Sequence, residues 1–433
     1  MNKWIKMYNE KLVSAEKIAK KIGSNTVCSS PIAGAESYAI TEAIARRALE
    51  ENLSNIKQCS LLSIRPKKIW DPRLNGKFNH VTCFTSANAR KALWNNRCEF
   101  IPSFYHEIPD VWKYSVRPEV FYATVSPMDE HGYFSLGIGV STCKSLIETA
   151  KKIYLEVNEY MPRIHGDSFI HISQVDAICE CHKPLPELPS NNITDIDKII
   201  GNYIAELVPN EATIQLGIGA IPNAAAQSLS TKKDLGIHTE MFTESMIDLI
   251  ENGVVTNRKK NIHKGKSIAT LALGTKRMYD FLNDNVGIEF YPVDYVNDPN
   301  IIGMHDDFIS INTCIEVDLF GQVCSESLGV KHFSGVGGQV DYVRGAAKSK
   351  NGKSIIAMYS TAKNGTISKI KPILTKGSIV TTTRNEVDYI ITEFGVAKLK
   401  GKTISQRAKS LINIAHPNFR DELTSAAKKM NLI

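Results

Sequence analysis

The sequence predicts an α/β fold with mostly parallel sheets spread over two domains, and three observations predict it. Strand-like apolar runs alternate with helical periodicities along nearly the whole chain, the signature of strand–helix–strand crossovers. Several runs, such as Val120–Val125, are apolar, aromatic or small throughout instead of alternating, as strands covered on both faces are. At 433 residues the chain is too long for one ordinary core, which makes two domains the natural expectation.

Taken in order, an amphipathic helix is expected over Lys3–Lys21, then a strand-like piece from Ser24 ending in the small residues Pro31–Ala35. A helix follows over Ser37–Glu51, with Ile40, Ala43, Ile44 and Leu49 apolar. Short strands are expected at Ser60–Ile64 and Val81–Thr85, and buried ones at Val120–Pro127 and Lys151–Asn158. Between Lys183 and Asn192 three prolines fall within six residues, which neither a helix nor a central strand tolerates. That stretch sets the boundary between domains 1–185 and 186–433.

The second half restarts with a helix, Asp195–Leu207, and a strand, Thr213–Ile218, ending in a glycine turn. Pro222 suits the first turn of the next helix. A further strand, Ser267–Gly274, precedes a helix through Leu282. Gly335–Gln339 forms a glycine turn entering a helix toward Arg344. Buried strands are expected at Ser354–Ser360 and Gly377–Thr383, and helices at Ser405–Ile414 and Phe419–Met430, separated by Pro417.

Composition narrows the function classes. The chain is 43% hydrophobic and 22% charged, and no apolar run approaches the roughly 20 residues of a membrane span. Its start lacks the apolar stretch of a secretory signal, so a cytoplasmic location is expected. The net charge of +7 is dispersed, unlike the concentrated stripe of a nucleic-acid binder. Such an excess either steers anionic small molecules or carries no meaning. The nine cysteines show no paired spacings, and an odd count argues against a full disulfide set. Cys179-Glu180-Cys181-His182 lacks a second ligand pair for a metal, so no metal site is expected.

The chemistry is expected at Gly236-Ile237-His238-Thr239-Glu240-Met241-Phe242. Two glycine turns, Gly217-Ile218-Gly219-Ala220-Ile221 and Gly335-Val336-Gly337-Gly338-Gln339, each lie between a strand-like and a helix-like run. Such turns offer unpaired backbone N–H groups to an anion or a polarised carbonyl, or serve only tight packing. Their spacing matches neither a dinucleotide fingerprint nor a P-loop. A carboxylate among such donors can attack an acyl group while the donors stabilise the oxyanion. Glu244 is the rival nucleophile, and His131, in a turn after a buried strand, is a candidate base or a turn residue without a role.

With these motifs in view, the chain resembles the acetyl-CoA hydrolase/transferase family of CoA-transferases. The resemblance covers nearly the whole chain. It runs through Val125–Gly132, Glu156-Val157-Asn158, Leu216–Pro222, His238-Thr239-Glu240-Met241, Val317–Gln322, Ser334–Arg344, Ser360–Gly365, Thr382–Asn385 and Ile414–Pro417. It implies two open α/β domains of the CoA-transferase (NagB/RpiA-like) type, an active site at their interface and a homodimer. It implies that Glu240 is the nucleophile, passing through an acyl anhydride and a glutamyl-CoA thioester with ping-pong kinetics. Acyl-CoA and a short-chain carboxylate are then substrates, with no tightly bound cofactor. The implied CoA contacts are Gly217, Ile218, Gly219, Ala220, Ile221, Ile315 and Gly338, with Gly335, Gly337 and Gln339 in the second donor loop. One departure concerns the acid: relatives tend to carry a carboxylate–proline pair in the first small-residue turn, where this chain reads Ser29-Ser30-Pro31-Ile32-Ala33-Gly34-Ala35-Glu36-Ser37, a segment that the resemblance implies faces the acyl pocket. Butyrate, acetate, itaconate and 4-hydroxybutyrate all stay open, as does hydrolysis through the same Glu240.

Overall fold

The computed structural model describes residues 3–189 and 192–433. The chain groups into two units, Met1–Leu188 with Ile268–Val296, and Pro189–Ser267 with Asn297–Ile433. Where the sequence places one boundary, after residue 185, the structure divides the chain at three points, the first between Leu188 and Pro189. Of the proline-rich stretch, residues 183–189 form neither helix nor strand, and Ser190 and Asn191 lie outside the described residues.

The first unit is built on a seven-stranded sheet. Its strands are β1 (Val27–Ser29), β2 (Ile56–Cys59), β3 (Phe78–Thr82), β4 (Cys98–Phe100), β5 (Val120–Val125), β6 (Lys152–Val157) and β7 (Ala177–Glu180). They lie in the order β7-β6-β5-β1-β2-β3-β4, and every pairing is parallel. All six residues of β5 are buried, as expected of a strand covered on both faces. Helix α1 (Tyr38–Glu50) buries Ile40, Ala43, Ile44 and Ala48, one stripe at helical spacing. These side chains join Cys28, Ile56, Phe78 and Tyr122 in one core.

In the second unit, helix α2 (Asp195–Leu207) leads to β8 (Thr213–Leu216), α3 (Ala220–Ser228) and β9 (Gly236–Ile237). Next come β10 (Phe308–Thr313), α4 (Gln339–Lys348), β11 (Lys353–Ala357), β12 (Tyr389–Thr392) and β13 (Gly395–Lys398), then α5 (Ile404–Asn413) and α6 (Pro417–Lys429). The six-stranded sheet runs β9-β8-β10-β11-β12-β13, parallel except for the β12–β13 hairpin. The protein is therefore mixed α/β with mainly parallel sheets. No helix among the described residues is long and apolar enough to cross a membrane.

Four expected elements differ, the first being Ser267–Gly274, which forms two short strands, Ser267–Ala269 and Leu271–Ala272, in different sheets because the chain leaves one pairing for another at Thr270. Ser60–Ile64 is loop, and the strand lies just before it, at Ile56–Cys59. The polar Lys57 and Gln58 hide that strand, yet Gln58 is fully buried and bonds Thr41 Oγ1 at 3.4 Å. Gly377–Thr383 is irregular, with Ile379 and Val380 exposed; β-branched residues alone made it look like a strand. The first helix is two, Lys3–Lys11 and Ala15–Ala19, because Ser14 caps the second through the Lys17 amide at 3.3 Å.

Candidate active site

In an open parallel sheet, ligands bind beyond the carboxyl ends of the strands, at the point where strand order reverses. In the second unit that point lies between β8 and β10, since β9 turns one way and β10 the other. The sequence-expected residues gather along this edge. β8 pairs with β9 through Thr213–Gly236 and Ile214–Ile237, and the His238 amide continues the ladder to Ile214 O at 3.2 Å. His238 and Thr239 are fully buried. His238 Nδ1 lies 3.4 Å from His305 Nε2 and packs edge-on against Phe308, which anchors the strand end. Glu240, next in the chain, is half-buried.

Its carboxylate meets neutral donors. Asn297 Nδ2 lies 3.1 Å from Glu240 Oε2 and 3.3 Å from Asp341 Oδ2. Tyr342 OH lies 3.4 Å from Asn297 Oδ1. With the carbonyl end accepting from Tyr342, the amide directs one proton to Asp341 and the other to Glu240. The Gly338 N–H also donates to Glu240. Gly338 is the N-cap of α4, so the carboxylate sits at the positive end of a ten-residue helix. A Cβ on Gly338 would collide with Glu240 Oε2 and Asn297 Nδ2, so only glycine lets the backbone come this close.

Burial pushes the Glu240 carboxyl up from 4.5 to about 7; the Asn297 amide opposes this, the Asp341 charge adds to it, and the Gly338 N–H opposes it. The group is therefore more basic than an ordinary carboxylate, yet its anion already faces two donors.

Models of the acetyl-CoA hydrolase/transferase family match residues 1–189 with the N-terminal domain and 274–427 with the C-terminal domain. The chain belongs to this family of CoA-transferases. It is 44% identical to the 4-hydroxybutyrate coenzyme A transferase of Clostridium kluyveri, over 98% of this chain and 99% of that one. It is 52% identical to the succinyl-CoA:cyclohexane-1-carboxylate CoA transferase of Geobacter metallireducens, over 81% and 80%. The crystal structure of RipA from Yersinia pestis superposes with a TM-score of 0.95 at 41% identity, covering 99% of this chain and 100% of that one.

The other expected residues of this CoA-transferase-family chain fall along the same edge. Gly217–Ile221 follow β8, and Gly219, at φ 122°, starts α3 without a side-chain cap. Ile315 lies just past β10, its amide bonded to Cys324 O at 2.9 Å. Gly335 and Gly337 lead into Gly338, with Gly337 at φ 57°. The Gln339 side chain instead turns to Thr382 Oγ1, at 3.2 Å. Glu244 begins the next helix, Glu244–Glu251, while Asn297 and Gly338 direct their donors to Glu240. His131 is an exposed turn residue beside Glu130. Cys179 is buried on β7 and Glu180 accepts from Tyr8 OH at 2.6 Å. Among the described residues no three His, Cys, Asp or Glu side chains gather to hold a metal.

Sequence reasoning missed Asn297. The signal around it, Asn297-Asp298-Pro299, reads as a helix start, and Asp298 does cap that helix. Asp341 and Tyr342 stood in the glycine stretch without a role.

Proposed function

We propose that the protein moves CoA between an acyl-CoA and a short-chain carboxylate of the 4-hydroxybutyrate or butyrate kind, with Glu240 as the nucleophile. One observation carries the proposal: a half-buried carboxylate, raised to about 7, faces the Asn297 amide and the Gly338 N–H at the start of a helix. Glu240 attacks the thioester carbonyl, the C–S bond breaks, and CoA thiolate leaves an acyl-glutamyl anhydride. The thiolate attacks the glutamyl carbonyl and expels the first acid, leaving glutamyl-CoA. A second carboxylate attacks that thioester, and the returning thiolate takes the new acyl group, restoring Glu240.

The site's parts each answer a need of this sequence. A raised pKa makes the carboxylate a better nucleophile while leaving a large ionised fraction at neutral pH. Each attack on the glutamyl carbon passes through an oxyanion at the position of a Glu240 oxygen, where the two donors already point. The Gly217–Ile221 and Gly335–Gly338 backbones are proposed to hold the acyl oxygen and the coenzyme, whose long chain supplies remote binding energy.

The half-reaction tests this. With acyl-CoA alone, the protein should release one equivalent of free acid per site and gain the mass of CoA less water. Continuous release of free CoA without an added carboxylate would make it a hydrolase instead.

A further inference from the structure

Helix α4 meets Asn297 with two consecutive side chains to which the chemistry above gives no role. Asn297 is fully buried, and its amide has one end that only donates and one that only accepts. Its Nδ2 reaches Glu240 Oε2 at 3.1 Å and Asp341 Oδ2 at 3.3 Å, while its Oδ1 lies 3.4 Å from Tyr342 OH. Asp341 sits in the first turn of α4 with Tyr342 directly after it, and both are buried. The Tyr342 ring stacks on Phe308 of β10, centroids 6.0 Å apart at 18°, which holds its hydroxyl in place. All of these side chains belong to the second unit.

Every partner selects the same amide orientation. The two ends of an asparagine amide have nearly the same shape, so packing alone leaves the choice open. Turned over, Asn297 would set its carbonyl oxygen against two carboxylates and its NH2 against the hydroxyl that now donates. A buried polar group facing the wrong partner costs its desolvation without return. Orientation matters to the reaction because Glu240 Oε2 gains negative charge each time the glutamyl carbon is attacked. An N–H there stabilises that charge, and a carbonyl would repel it. Burial lifts the Glu240 carboxyl, Asn297 opposes this, and Asp341 is the charge that adds to it; His238, two residues before Glu240, faces His305 and Phe308.

We propose that Asp341 and Tyr342 are positioning residues, which together hold the Asn297 amide with its N–H toward Glu240 Oε2. Their effect on rate rests on the transferase reading above. The competing account is that Asp341 serves only the start of α4, where acidic side chains are favoured, and Tyr342 only the core.

A double-mutant cycle separates the two, read on the half-reaction with saturating acyl-CoA at pH 8. Tyr342→Phe keeps the stacked ring and should slow the half-reaction roughly 3- to 10-fold. Asp341→Asn, of the same shape, should slow it roughly 10- to 100-fold. In an Asn297→Ala background neither change should cost more than about twofold, because the amide they orient is gone. Equal losses in both backgrounds, or no loss from Tyr342→Phe, would overturn the proposal. If Asp341→Asn fails to fold, the Tyr342→Phe arm decides alone. Carbon-13 NMR of glutamate-labelled protein, with Glu240 assigned by difference from Glu240→Gln, reads the orientation without turnover. Burial raises Glu240 to about 7 and the Asn297 N–H opposes it, so Tyr342→Phe should move the Glu240 titration to higher pH. The same change should leave it unmoved in Asn297→Ala. A wild-type protein that forms no CoA adduct defeats the transferase reading, and this titration then decides the proposal. A Glu240 titration that Tyr342→Phe leaves in place counts against it.

Discussion

Glu240 and Glu36 each stand just past the carboxyl end of a parallel strand, and their neighbours are opposite in kind. Glu36 has a buried ammonium, Lys67, and a serine hydroxyl on one oxygen. Glu240 has a neutral amide, one backbone N–H and a second carboxylate, Asp341, nearby, and burial lifts it to about 7. A lysine on Glu240 would tie up the electron pair needed for attack. Neutral donors instead orient the anion and can follow charge as it moves onto an acyl oxygen. Glu156, buried against Ser37 Oγ and the Ala39 amide, is a third case. Burial raises it too, but its donors point inward, and it serves to fix the turn before α1.

The comparison can be broken most forcefully at Glu240. Glu240→Ala should lower transferase turnover by roughly 10⁴-fold or more, since a nucleophile has no substitute; steady-state assays with acetyl-CoA and a carboxylate check this. Lys67→Met leaves Glu36 buried without its ion partner, and urea denaturation should show about 3–5 kcal/mol of lost stability. Asn297→Ala removes one neutral donor and should cost about 100- to 1000-fold in kcat. Because that amide opposes the upward shift of Glu240, the acidic limb of the kcat/KM profile, near pH 7 in wild type, should also move to higher pH.

The smallest effect concerns stability. Glu240 is raised from 4.5 to about 7 in the folded state, so folding disfavours its anion. That penalty is absent below about pH 4.5, grows as the pH rises toward 7, and is complete above it. Glu240→Gln removes it, and should be about 1–3 kcal/mol more stable than wild type at pH 8. The two should be equal at pH 4. A variant less stable at pH 8 would mean that the donors outweigh burial.

The same contrast explains what the sequence disclosed. The first glycine turn was legible because it follows the buried run of β8, whereas the second was legible by its glycines alone, since Leu328 and Val330 before it are exposed; α4 forms where that second turn predicts. Gly338 was legible as a glycine, but its need to admit the Glu240 carboxylate is a matter of packing. Asn297 was not legible, lying 57 residues from its partner behind an ordinary capping signal. Lys57 and Gln58 concealed β2 because they are polar, although Gln58 is fully buried with its amide turned to Thr41 and Lys57 reaches out toward Glu99. Ile379 and Val380 suggested a strand, although both stay exposed.

The most direct measurement is to treat the protein with acyl-CoA, reduce it with borohydride and locate the altered residue by mass spectrometry. Reduction of a glutamyl thioester should convert Glu240, and no other carboxylate, to the alcohol. An unmodified Glu240 under turnover, or a modified Glu244 in its place, would contradict the mechanism.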